Sequence, residues 1–242
     1  MSGVTTTVGM ATDPGGRPNN EDSAWAEGRL FVVADGMGGH ESGEVASATA
    51  ISALVALSDL PDVDEARVRD AIRRAHEAVR DLPHGRGRRP GTTLTGVVVA
   101  EHGGVPCWLV LNVGDSRTYR MAGGVLEQVT RDHSEVAELV ERGLLLPEEA
   151  AHHPRRHVVT RVLGGGAFDV DPDLEWLPVS PGDRILVCSD GLTDTLPDAR
   201  IEAELKAAED PQEAADRLVA AALAADAQDN VTVVVVDAAL TR

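Results

Sequence analysis

The strongest restriction on how this chain can fold is a recurring pattern: an apolar run that stops at an aspartate. It appears as Phe31-Val-Val-Ala-Asp-Gly36, Leu111-Asn-Val-Gly-Asp-Ser116 and Leu186-Val-Cys-Ser-Asp-Gly191, with a mirrored case in Asp229-Asn230 directly before the run 231–236. Runs of this kind bounded by turn residues read as buried strands. Stiff strands hold their end residues accurately, and glycine after aspartate lets the backbone turn and offers its carbonyl as a further ligand. Any one of these dipeptides alone is also what an ordinary turn looks like. Four in one chain point instead to carboxylates converging at one end of a sheet. Such carboxylates repel unless cations neutralise them. Oxygen-only ligands favour Mg2+ or Mn2+ over zinc, which recruits Cys or His.

The remaining elements read as follows. Strands are expected over 4–11 and 30–34, separated by the turn-rich stretch Asp13-Pro-Gly-Gly-Arg-Pro-Asn-Asn20. Two amphipathic helices follow, one with an apolar stripe at Ile51, Leu54 and Val55, the other at Val68, Ile72, Ala75, Val79 and Leu82. Strands over 94–100, 105–113 and 118–121 come next, with hairpin turns at Gly103-Gly104 and Gly123-Gly124. Residues 133–166 hold a short helix ending at Gly143 and an irregular segment rich in His and Arg. The last third offers strands over 184–189 and 231–236, with helices between. Asp210-Pro-Gln-Glu213 supplies a capping residue, proline at the first helical position and glutamate at the third. No composition shift marks a linker, so 1–242 reads as a single domain.

Charge excludes some functions. A formal net charge of -18 leaves no basic face for nucleic acid or an anionic membrane, whereas 43% apolar residues argue for a packed core. Neither a membrane-spanning run nor a signal-peptide pattern is present, and a cytoplasmic protein is expected. Cys107 and Cys188 each lie in an apolar run and read as buried thiols. His76, His84 and His102 read as surface residues.

The stretch Arg17-Pro-Asn-Asn-Glu-Asp22 sets a guanidinium beside two acids in a loop. Its planar fork suits two phosphate oxygens at once, and a salt bridge from Arg17 to Glu21 or Asp22 is the plainer alternative. With Arg17-x-x-Asn-Glu-Asp22, Val33-Ala-Asp-Gly-Met-Gly-Gly-His40, Gly91-Thr-Thr93, Gly114-Asp-Ser-Arg117, Asp132-His-Ser134, Ser189-Asp-Gly191 and Asp229-Asn230 in that order, the chain resembles the PPM family. These are the type-2C metal-dependent protein serine/threonine phosphatases, here in their compact bacterial form.

The resemblance implies an α+β fold, a four-layer α-β-β-α sandwich of two antiparallel sheets flanked by helices. It implies two divalent cations, Mn2+ or Mg2+, with Asp35 bridging, the Gly36 carbonyl on one ion, and Asp190 and Asp229 on the other. Glu21 or Asp22 would act through metal-bound water, and Asp115 with Asp190 matches the ligands of a third, weaker cation found in bacterial relatives. Arg17 would bind phosphate, and a metal-bridging hydroxide would attack phosphorus. His40 is the candidate acid for the leaving group, although Met37 stands where many eukaryotic relatives carry His, and metal-bound water is the alternative acid. His133 is expected to orient structure. Residues 134–166 would form a flap beside the site, with positive charge from Pro154-Arg-Arg-His157 and Arg161. His157 departs from the Asn expected in many bacterial relatives, with an effect on flap contacts. The partners implied are phosphorylated proteins, substrates of a serine/threonine kinase, and monomer is the default state. The alternative is a catalytically silent module of the same fold that binds phosphoproteins, whose usual sign, loss of a metal carboxylate or of the arginine, is absent here.

Overall fold

A computed structural model describes residues 3–38, 42–85, 89–150 and 152–241. In chain order the elements are β1 (Gly3–Asp13), β2 (Asp22–Glu27), β3 (Leu30–Met37), α1 (Ser42–Leu54), α2 (Glu65–Arg80), β4 (Gly91–Thr92), β5 (Leu94–His102), β6 (Val105–Val113), β7 (Arg117–Ala122) and β8 (Val125–Gln128). There follow α3 (Glu135–Glu141), α4 (Pro147–Ala150), β9 (Leu163–Gly164), β10 (Asp173–Pro178), β11 (Arg184–Cys188), α5 (Asp190–Thr193), α6 (Asp198–Ala207), α7 (Pro211–Ala224) and β12 (Val231–Thr241).

Two antiparallel sheets result. One runs β1-β12-β11-β7-β8; the other runs β10-β6-β5-β3-β4-β9, with β2 also on β3. Side chains alternate across each strand, so a run that is apolar at every position must be covered on both faces. In β3, Phe31 and Val33 point to the second sheet and join Val97, Trp108, Val110, Ile185, Val187, Val234 and Val236 in an intersheet core. Leu30, Val32 and Ala34 face the other way, against Ala46, Ala50 and Leu54 of α1 and Val68, Ile72 and Val79 of α2. On the far side, Leu186, Cys188, Val233 and Val235 pack on Ile201 and Leu205 of α6 and on Ala214 and Leu218 of α7. Helix, sheet, sheet and helix layers therefore stack as expected.

Asp210 caps α7 as expected, accepting from Gln212 N and Glu213 N, and Asp64 caps α2 by accepting from Arg67 N. Cys107 and Cys188 are both buried free thiols. Among the described residues no helix is long and apolar enough to cross a membrane.

The structure also departs from the sequence reading. Residues 22–27 form a strand, β2, not among those expected, in register with β3 so that Asp22 lies opposite Asp35. That strand has only a half-buried, mixed sequence and gives no apolar run. The last strand continues past 236 to Thr241, because β1 pairs with it along its whole length from Gly3 opposite Thr241 to Asp13 opposite Val231. His76 is a core residue, not a surface one. It lies four residues after Ile72 and three before Val79, on the buried face of α2, and its Nδ1 accepts a hydrogen bond from Gly164 N at 3.2 Å.

Ile185 lies fully buried between the sheets. Ile185→Ala is expected to lower unfolding free energy by about 2–5 kcal/mol, read from urea denaturation at unchanged m-value.

Candidate metal centre

The carboxylates of the recurring pattern do meet. Asp35 lies on β3, Asp190 opens α5 directly after β11, and Asp229 precedes β12, so both sheets contribute. Asp35 and Asp190 are close enough to share a hydrogen bond, and the charges of Asp22 and Asp115 also act on Asp35. Burial first, then Asp190 and the other acids, holds the Asp35 carboxyl well above the usual carboxylate range. Asp190 is shifted the same way, by burial and then by Asp115, Asp194 and Asp229. Asp115 is pushed up to about 7, chiefly by burial and then by Asp132. Asp22 rises to about 6, again mainly by burial.

Close backbone packing sets this geometry. A Cβ on Gly36 would lie 2.1 Å from Gly43 O and 2.6 Å from Glu21 O, so only glycine lets β3, the 21–22 segment and α1 come together. Gly36 is thus not the sharp turn its sequence suggests: β3 runs on to Met37 because Gly36 and Met37 pair with Thr92 and Gly91 of β4. A Cβ on Gly191 would lie 2.1 Å from Asn230 O, which locks the Asp190 turn against the Asp229 turn. Thr93 fixes Asp35 through its Oγ1, which accepts from Asp35 N at 2.9 Å, while Thr93 N donates to Asp35 O at 2.9 Å.

Asn230 is a positioning residue whose role is not legible in its local sequence. Its Oδ1 accepts from Glu21 N at 2.8 Å, and its Nδ2 donates to Pro14 O and Asn19 O, both at 2.9 Å. The loop carrying Arg17 and Glu21 is therefore tied to the residue beside Asp229. Ser189 Oγ donates to Asp22 Oδ2 at 2.7 Å, and Asp22 Oδ1 is buried with no hydrogen-bond partner among the described residues. The partner of Arg17 is Asp229 rather than Glu21 or Asp22. Its Nη2 donates to Asp229 Oδ2 at 2.7 Å, with the two side chains 57% and 43% exposed.

The Gly114–Arg117 and Asp132–Ser134 motifs form one clamp around Asp115. Arg117 makes a two-pronged pair with Asp132, Nε to Oδ1 at 3.0 Å and Nη2 to Oδ2 at 2.7 Å. His133 is buried; its Nδ1 accepts from Gly114 N at 3.1 Å and its Nε2 lies 3.1 Å from Asp173 Oδ2. Burial lowers its pKa, and both ring nitrogens are engaged, on the Gly114 turn and on β10. His40 lies outside the described residues.

Several charges of the segment expected to form a flap are satisfied within the chain. Arg155 pairs with Glu135, Arg161 with Asp173, and His157 Nδ1 sits 3.1 Å from Asp194 Oδ2. His157, Asp190 and Asp194 bring possible ligand atoms within 4.8 Å of one another. Asp194 carries no motif of its own, yet its place four residues after Asp190 across one helical turn puts both carboxylates on one face.

The residues fit divalent cations. Buried carboxylates that hold protons against one another, an orphaned buried Asp22 Oδ1, and an oxygen donor set at Asp35, Gly36, Asp190 and Asp229 all call for hard positive charge. Fold and site together define an αββα protein built around an acidic, cation-binding mouth. A family model described as Protein phosphatase 2C matches residues 16–230. The serine/threonine protein phosphatase PstP of Mycobacterium tuberculosis is 43% identical over 229 residues, covering 91% of this chain and 42% of that protein. The serine/threonine phosphatase stp of Listeria monocytogenes is 35% identical over 245 residues, covering 95% of this chain and 91% of that protein. A crystal structure of the PstP catalytic domain in complex with two manganese ions superposes with a TM-score of 0.85 at 38% identity, covering 98% of this chain and 99% of that one. This chain belongs to the protein phosphatase 2C family, and it spans less than half the length of its mycobacterial relative.

Protonation gives a test. Asp22 and Asp115 bind protons more tightly in the fold than in the unfolded chain, where each titrates near 3.8. The folded state then holds more protons, so metal-free stability falls as pH rises from about 4 through about 7. The metal-free Tm is expected to drop between about pH 5 and about pH 8, and Mn2+ to raise Tm more at the higher pH. A metal-free Tm that climbs over that interval would contradict the crowded centre.

Proposed function

We propose that the chain, residues 1–242, forms one catalytic domain that removes phosphate from phosphoserine and phosphothreonine in proteins phosphorylated by a serine/threonine kinase. The observation that carries this reading is the convergence of Asp35, Asp190 and Asp229 from both sheets beside an exposed arginine. The mycobacterial and Listeria relatives bear the same activity in their names, and the PstP catalytic domain binds manganese.

Asp35, the Gly36 carbonyl, Asp190 and Asp229 would hold two divalent cations, with Asp115 available to a third. Bound there, Mn2+ or Mg2+ supplies charge compensation for the phosphoryl group and acidifies water toward a nucleophile at neutral pH. The protein's own part is placement. Arg17 is held at the rim by Asp229 and keeps further N–H donors for phosphoryl oxygens. Asn230 fixes the backbone at Glu21 and Ser189 fixes the Asp22 carboxylate, which would let these acids act through water held at the centre. His133 and the Arg117–Asp132 pair hold the turn that presents Asp115. His40 is proposed to protonate the serine or threonine oxygen as it leaves, since an alkoxide is a poor leaving group. Two buried thiols fit a reducing, cytoplasmic compartment.

The test is hydrolysis of a phosphothreonine peptide. Activity with Mn2+ is expected to vanish with EDTA and to fall by roughly 100-fold or more in Asp190→Ala. Arg17→Ala should cost about tenfold in kcat/KM. A folded protein inert under every divalent metal would leave the silent phosphoprotein-binding module as the better account.

A further inference from the structure

Arg89 is exposed, and no hydrogen bond or ion pair engages its guanidinium among the described residues. Its position is fixed all the same. A Cβ on Gly38 would lie 3.2 Å from Pro90 Cα and 3.7 Å from Arg89 O, so the Arg89 backbone borders the segment that leaves Asp35-Gly36. Its side chain runs beside the turn after β9, where a Cβ on Gly166 would lie 3.2 Å from Arg89 Cδ. Gly165 N donates to Pro90 O at 2.7 Å and anchors that turn.

The same turn carries Phe168, which is 92% exposed. Arg80, whose Nε also lies 3.7 Å from Asp81 Oδ1, donates from Nη1 to Phe168 O at 3.4 Å and ties that turn to α2. An exposed aromatic residue and an unengaged guanidinium bordering one turn offer an acidic peptide a foothold on a chain of net charge -18. The Gly38 contact sets its distance from the centre. Gly38 lies three residues past Asp35, directly after the end of β3, so the Arg89 backbone is about 10 Å along the chain from Asp35, the length of about three residues of extended peptide.

We propose that Arg89, with Arg80 and Phe168, forms a docking ledge that selects phosphoproteins bearing an acidic residue about three positions from the phosphorylated one. The proposal rests on the phosphatase reading above and names its substrate class. The acidic side chain meets the Arg89 guanidinium, and the peptide backbone lies across the Phe168 ring. The ledge adds affinity and leaves the chemical step alone.

The experiment compares Mn2+-loaded protein on three phosphothreonine peptides: one with neutral flanks, one with Glu three residues before the phosphothreonine, one with Glu three residues after it. One of the acidic peptides should show a KM lower by about fivefold than the neutral peptide, at similar kcat, as an exposed charge pair allows. Arg89→Glu should reverse that preference through KM, and Phe168→Ala should raise KM for both peptides. Continued turnover of the neutral peptide and an unchanged Tm show that each variant folds. Equal KM values for all three peptides, or a preference that survives Arg89→Glu, would overturn the ledge while leaving the phosphatase reading intact. Failure to hydrolyse any of the peptides would overturn both.

Discussion

Everything in this molecule is arranged around a repulsion. Asp35, Asp190, Asp115 and Asp22 are packed closely enough, and deeply enough, that each is held above its ordinary carboxylate range by burial and by its neighbours. Such a cluster is destabilising unless protons or cations offset its charge. The rest of the fold provides enough packing to hold these groups together. Intersheet contacts among Phe31, Val33, Ile185, Val187, Val234 and Val236 bring the ends of β3, β11 and β12 to one mouth.

Precision at the mouth comes from backbone interlocks as well as from that core. Gly36 and Gly191 admit neighbouring chain at distances that no side chain tolerates. Asn230 engages both ends of its amide on the loop that carries Arg17, and Ser189 donates its hydroxyl proton to Asp22. These neutral polar groups add no charge to a site already crowded with it. Several positively charged groups near it are engaged: Arg17 by Asp229, Arg161 by Asp173, Arg117 by Asp132. Arg89 stands outside this pairing, at the flank where β4 and β9 extend the sheet beyond β3.

Much of the site is legible in the residues alone, because its chemistry sits at the ends of strongly apolar strands. A run such as 231–236 can be little else than a buried strand, and the aspartate beside it is placed with it. The elements that local pattern does not reveal lack that signature. β2 is half-buried along most of its length, and β4 and β9 are two residues each, stabilised by pairing partners far away in sequence. His76 stands at the spacing of the apolar stripe of α2, but a polar ring there has no evident partner until the distant Gly164 N–H is found against it.

Which residues can bear charge, which runs have to be buried on both faces, and in what order the motifs occur all follow from residue type and local period, and neither depends on long-range contacts. Packing between distant segments settles the rest: that Asp22 faces Asp35, that Arg17 pairs with Asp229 across 212 positions of chain, and that Asp194 joins Asp190 and His157. Those relations come from strand register and the stacking of two sheets, and no local pattern encodes which of several acids an arginine will meet.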